Sequence, residues 1–137
     1  MKLFMTLLLL VSTSFAGDKT VTADAILGEW LTAKKDARFL IYKKNDRYYG
    51  RVVWGTGERL DLKNPNPELR KRDLQSFDLL KNFRYEDGRW YDGTIYDPRE
   101  GKVYDCVLKL NGSNQLDVRG YVGLPLFGRS EIWTRVK

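Results

Sequence analysis

Three carboxylates, Asp92, Asp97 and Asp105, fall close together in the second half of the chain. Paired acids a few ångströms apart could hydrolyse a glycosidic bond, and this is the one catalytic arrangement that the composition leaves open. The 137 residues contain no histidine, which excludes Ser-His-Asp triads, Cys-His pairs and the usual His-Glu-x-x-His metal site. A metal would have to be held by carboxylates alone. Asp97 precedes Pro98 and Asp92 precedes Gly93, and turn formation accounts for both without any chemistry. The chain therefore reads as a binding protein rather than an enzyme, with no cofactor and no metal.

The residues suited to binding are arginine and aromatics. Arg119 and Tyr121 share a strand parity, as do Tyr104 and Cys106, and Trp133 and Arg135, so each pair occupies one face of its strand. If these faces point into a closed sheet, they place a guanidinium among aromatic rings. A buried guanidinium needs a carboxylate partner or an anionic ligand. Asp97 and Asp105 are the candidate protein partners. The other reading makes Tyr96, Tyr104, Arg119, Tyr121 and Trp133 the lining of a site for the polar or anionic head of a small hydrophobic or amphiphilic molecule.

The elements that must position them are strands. Alternating runs at 28–33, 38–43, 48–55, 77–86, 89–96, 102–110, 115–122 and 129–136 are separated mostly by hairpin residues such as Asn45-Asp46, Asp87-Gly88 and Asn111-Gly112. Thr22 before Ala23 and Gly28 after Leu27 bracket one short helical turn. Eight antiparallel strands leave two exposed edges unless the sheet closes. The expected fold is thus all-β, an eight-stranded antiparallel up-and-down barrel with a short N-terminal helical turn. One connection, 56–76, is too long for a hairpin and carries Asn64-Pro65-Asn66-Pro67, so it reads as a stiffened excursion placed as a lid across one barrel end.

Lys2, the apolar run 3–11 and the small residues ending at Ala16 form the three regions of a secretory signal peptide. The expectation is an exported protein, periplasmic or secreted, with residues 17–137 as a single domain. Cys106 is the sole cysteine, so it forms no internal disulfide and reads as a buried thiol. The net charge of +6 suits anionic partners, such as envelope lipid, although a modest excess most often serves solubility. No nucleic-acid-binding motif is present.

Several short motifs converge on one family. Ala25-Ile26-Leu27-Gly28-x-Trp30, Tyr49-Gly50-Arg51-Val52-Val53, Asn66-Pro67-x-Leu69-Arg70-x-Arg72, Ile95-Tyr96-Asp97-Pro98, Gly101-Lys102-x-Tyr104, Val118-Arg119-Gly120-Tyr121-x-Gly123 and Leu126-Phe127-Gly128-Arg129, closing on Trp133-Thr134-Arg135, resemble a small exported bacterial family, domain of unknown function 2147, a lipocalin-like group. The resemblance implies that Trp30 closes the barrel base with Arg135 packed over its ring. It also implies a hydrophobic or amphiphilic ligand within the barrel. Asp73 departs from the family pattern, in which proline often follows the second arginine. A second reading keeps the barrel filled by its own side chains and gives the basic loop 63–72, with Asn66, Pro67, Leu69, Arg70 and Arg72, a contact with anionic envelope lipid or a protein partner.

Overall fold

The computed structural model describes residues 21–137; the expected signal segment lies outside the described residues. A 3-10 turn, Ala23–Ile26, precedes eight strands: β1 (Gly28–Leu31), β2 (Ala37–Lys44), β3 (Arg47–Gly55), β4 (Leu80–Glu86), β5 (Arg89–Asp97), β6 (Lys102–Asn111), β7 (Gln115–Tyr121) and β8 (Arg129–Arg135). Each pairs antiparallel with the next, and β8 returns to β1 through Trp30↔Arg135 and Leu31↔Thr134. The sheet is a closed up-and-down barrel. Closure gives every strand a neighbour on both sides, which is the physical reason for so many short amphipathic strands to adopt it.

The turn chemistry divides the barrel into two ends. At one end the β2–β3 and β4–β5 hairpins are tight, with Asn45, Asp46, Asp87 and Gly88 all at positive φ, as two-residue turns of this kind require. The β6–β7 hairpin is a three-residue loop that opens on Gly112 at φ 68°. The opposite end carries the longer connections, including the expected lid. The eighth expected element begins where it was placed, whereas β4 starts at Leu80 rather than at 77. Phe77–Leu79 still touches the sheet, because Leu79 N–H donates to the Gly50 carbonyl at 2.9 Å and Tyr96 N–H donates to the Leu79 carbonyl at 2.8 Å.

Aromatic bulk fills the tight-hairpin end. Ile26, Trp30, Tyr48, Phe83, Trp90 and Leu108 are all almost completely buried. Phe83 fits because Gly93 opposite it has no side chain: a Cβ there would lie 2.3 Å from the ring. The neighbouring Asp92 takes a positive φ of 60°, and the β5–β6 register slips between Trp90 and Gly93, a bulge that bends the strand around the ring. The N-terminal turn seals this end as a plug. Trp30 Nε1 donates to the Ile26 carbonyl at 2.9 Å, Tyr48 Oη to Asp24 at 2.6 Å, and Trp90 Nε1 to the Ala23 carbonyl at 3.2 Å.

Arg135 joins the plug to the barrel seam. Its guanidinium carbon lies 4.3 Å from the Trp30 ring centroid. Its three nitrogens donate to the carbonyls of Ser113, Leu27 and Ala25 at 2.8, 2.8 and 2.6 Å. Burial pushes this guanidinium's pKa down, and a cation over indole in such a partly buried contact is worth about 0.5–2 kcal/mol. Trp30→Ala should cost about 3–5 kcal/mol and Arg135→Ala about 2–3 kcal/mol in urea unfolding. A double-mutant cycle should give a coupling of about 0.5–2 kcal/mol; additivity within error would remove the contact from the account.

Candidate functional site

The strands continue past the aromatic plug, and above it the inward side chains leave part of the barrel interior open. The result is a chamber of about 940 Å³ that opens at the long-loop end. Phe39, Leu79, Ile95, Val118 and Trp133 line its apolar depth, and Phe39 stacks on Trp133 with centroids 4.6 Å apart and planes at 26°. Such a volume, apolar below and polar at the rim, is that of a small-molecule site.

Ladder register decides which charged groups face this space. Leu116 pairs with Trp133, Val118 with Glu131 and Gly120 with Arg129, so Glu131 and Arg129 share the inward parity of buried Leu116, Val118 and Trp133. Both line the chamber. Glu131 accepts from Trp133 Nε1 at 3.3 Å. Arg129 joins no ion pair and no side-chain hydrogen bond among the described residues, whereas Arg99 at the rim is held by both Asp97 oxygens at 3.2 Å. The Asp97 hydrogen bonds, with Glu131 and Asp36 acting from farther away, push the Arg99 pKa up.

Arg119 requires a correction. It pairs with Ser130 on the outer face and does not line the chamber. Its Nε donates to the Pro125 carbonyl at 2.7 Å and its Nη1 to Ser130 Oγ at 2.9 Å. The arginine on the chamber wall is instead Arg129, which is exposed to solvent. The cue was in the strand itself: Leu116 and Val118 alternate with Asp117 and Arg119, and the apolar pair takes the inside.

The four aromatic candidates border the chamber in different ways. Trp133 forms part of its floor. Tyr104, on the inward parity of Cys106, gives its hydroxyl to Glu100. Tyr121, on the parity of Arg119, stands at the rim. Tyr96 also borders the rim, and its hydroxyl donates to Asp61. The three acids do not converge. Asp92 pairs with Arg84 at the outer surface, Asp97 holds Arg99, and Asp105 lies exposed on the parity opposite to buried Cys106. Burial pushes the Cys106 thiol far up, away from thiolate chemistry.

Asp61, which the sequence reading passed over, organises the 56–76 connection. It is completely buried and accepts from Tyr96 Oη, from Asn64 Nδ2 at 2.8 Å and from Arg72 Nη2 at 3.0 Å. The Arg72 guanidinium lies 3.5 Å from the Phe77 ring centroid, and Arg70 Nε donates to the Asn64 carbonyl at 2.9 Å. Asn66 caps a 3-10 turn, Pro67–Leu69, by accepting from Glu68 N–H. The motif thus folds the loop onto itself, and two of its cations are turned to internal partners. Asp73, the departure from the family pattern, caps the next turn, Leu74–Ser76, and pairs with Arg59 at 2.8 Å. Gly101 fixes the loop's position: it sits at φ 68°, and a Cβ there would lie 1.9 Å from the Lys63 carbonyl oxygen.

The Asp61 network sets a pH window. Burial raises the Asp61 carboxyl, but hydrogen bonds from Tyr96, Asn64 and Arg72 outweigh it and hold the group below the usual carboxylate range. Burial, then the bond to Asp61, pushes the Tyr96 hydroxyl up to about 12. The depressed carboxyl contributes stability above about pH 4 that is lost as pH falls through its folded value. The raised phenol contributes below about pH 10 and is lost as pH rises through its own. Asp61→Ala should destabilise by about 2–3 kcal/mol, since the mostly buried Arg72 loses its carboxylate but keeps some access to water, and should flatten the acid limb of the urea midpoint against pH. An unchanged acid limb would show that the network does not govern it.

A search of curated proteins gives no match. Among solved structures, a Helicobacter pylori protein described as belonging to the lipocalin family matches with a TM-score of 0.74 at 20% identity, over 81% of this chain and 82% of that one. At that identity the likeness concerns the fold, and it agrees with the closed eight-stranded barrel. The profile of a family described as "Uncharacterized protein conserved in bacteria (DUF2147)" matches residues 28–135, nearly all of the barrel, and the chain belongs to that family.

Proposed function

We propose that the barrel binds a small amphiphile, with its hydrocarbon part against Phe39, Ile95, Val118 and Trp133 and its anionic head at Arg129. One observation carries this reading: a chamber of about 940 Å³ with an apolar floor has on its wall a guanidinium that no carboxylate pairs among the described residues. A carboxylate or phosphate head would give Arg129 the charge-assisted bonds that it lacks. Glu131, on the same wall, opposes a second negative charge and so sets the head near the rim, where water and Arg99 share it. The basic-loop reading has less support, because Arg70 and Arg72 are engaged within the loop and the upper barrel is not filled.

The experiment is a tryptophan-fluorescence titration with a long-chain carboxylate and with the alcohol of the same chain length. Wild-type protein should bind the carboxylate in the micromolar range, about −8 kcal/mol. Arg129→Ala should weaken the carboxylate at least about tenfold and the alcohol about twofold, while Glu131→Gln tightens the carboxylate. Arg119→Ala, on the outer face, should leave both within about twofold. Equal weakening of the two ligands by Arg129→Ala would defeat the head-group assignment, and no saturable binding of either would defeat the carrier reading.

A further inference from the structure

The connection between β7 and β8 keeps apolar side chains out of every core. Val122, Leu124, Leu126 and Phe127 are between 61% and 79% exposed, at the same end of the barrel as the chamber mouth. The segment is nonetheless ordered by its own bonds. Phe127 N–H donates to the Leu124 carbonyl at 3.0 Å and Gly128 N–H to the Pro125 carbonyl at 3.2 Å, forming the 3-10 turn Pro125–Phe127. Arg119 clamps it from the outer face through the Pro125 and Leu126 carbonyls, at 2.7 and 3.4 Å. Gly128 makes the clamp possible, because a Cβ there would lie 2.5 Å from the Gly120 carbonyl oxygen and 3.2 Å from Arg119 Nε. An arginine and a glycine together hold an apolar finger in water, where hydrophobicity alone would fold it away.

We infer that this finger inserts into the surface of an anionic lipid bilayer and seats the barrel mouth on it. Charge favours that occupant: from Val118 to Ser130 the chain carries Arg119 and Arg129 and no acid, on a protein of net charge +6. Shape favours it too. Four side chains on a protruding turn cover a few hundred square ångströms, short of the roughly 1,000 Å² of a stable protein interface, but they suit insertion about 5–10 Å into the headgroup region beside basic residues. The inference stands on the finger and does not require the chamber to be occupied.

The test is flotation of the protein with vesicles of phosphatidylcholine alone and of phosphatidylcholine with about 30% phosphatidylglycerol, at about 0.1 M salt. Anionic vesicles should carry the protein up at least about tenfold better than neutral ones, and Leu124→Glu/Leu126→Glu should lose at least about tenfold of that binding. Neither leucine lines the chamber, so the double variant should keep its unfolding midpoint and its amphiphile affinity; a failed carrier reading would show in the amphiphile titration and leave flotation intact. In a Leu126→Trp variant, tryptophan emission should shift to the blue on anionic vesicles. The inference is overturned if wild-type protein stays with the soluble fraction, if the double variant floats as well as wild type, or if sedimentation shows a wild-type dimer that the double variant lacks, which would give the finger to a second copy.

Discussion

Closure of the sheet at the β1–β8 seam is the constraint from which the rest follows. The seam is short, with two paired positions, and Arg135 reinforces it by lying across Trp30 while bonding to carbonyls of the plug and of the β6–β7 turn. Once the sheet is closed, strand alternation becomes a division between inside and outside. Arg129, Glu131 and Trp133 then must face the interior, and Arg119 must face away. One residue of slip of β8 against β7 would turn Arg129 and Glu131 outward and remove the chamber's unpaired cation.

The two barrel ends use the enclosed space differently. At the plugged end Trp30, Tyr48, Phe83 and Trp90 pack with the N-terminal turn, and Gly93 has no side chain so that Phe83 can pass. At the other end the inward positions carry Val118, Gly120 and charged residues, and the connections arch over instead of filling the lumen. In the 56–76 connection Leu74 is buried, but Leu60 and Leu62 are exposed. The connection hangs on Asp61, whose desolvation is offset by three hydrogen bonds, and a buried carboxylate so satisfied fixes one geometry more strictly than it adds stability. The 56–76 connection, fixed by Asp61, and the β7–β8 finger, fixed by Arg119, both border the chamber entrance.

The strands and hairpins were legible in the sequence because their signals are local: alternation over each strand and Asn, Asp or Gly at each tight turn. Trp30 and Arg135 were legible as termini of the strand series through the family resemblance. Asp61 was not, since an aspartate between Leu60 and Leu62 in a loop looks like any solvated acid until Tyr96, distant in sequence, is brought against it. The side taken by Arg119 was legible only in the alternation of Leu116 and Val118 with Asp117, not in its aromatic neighbours. The same alternation places Arg129 and Glu131, which flank Ser130, on the inward parity of Trp133.

Locating a bound amphiphile inside the barrel tests the central claim most directly. Crystals grown with a mid-chain brominated long-chain carboxylate should show an anomalous bromine peak in the chamber beside Phe39 and Trp133, with the carboxylate against Arg129. Bromine found only on the outer surface, or a chamber closed by side chains and empty of ligand, would contradict the account.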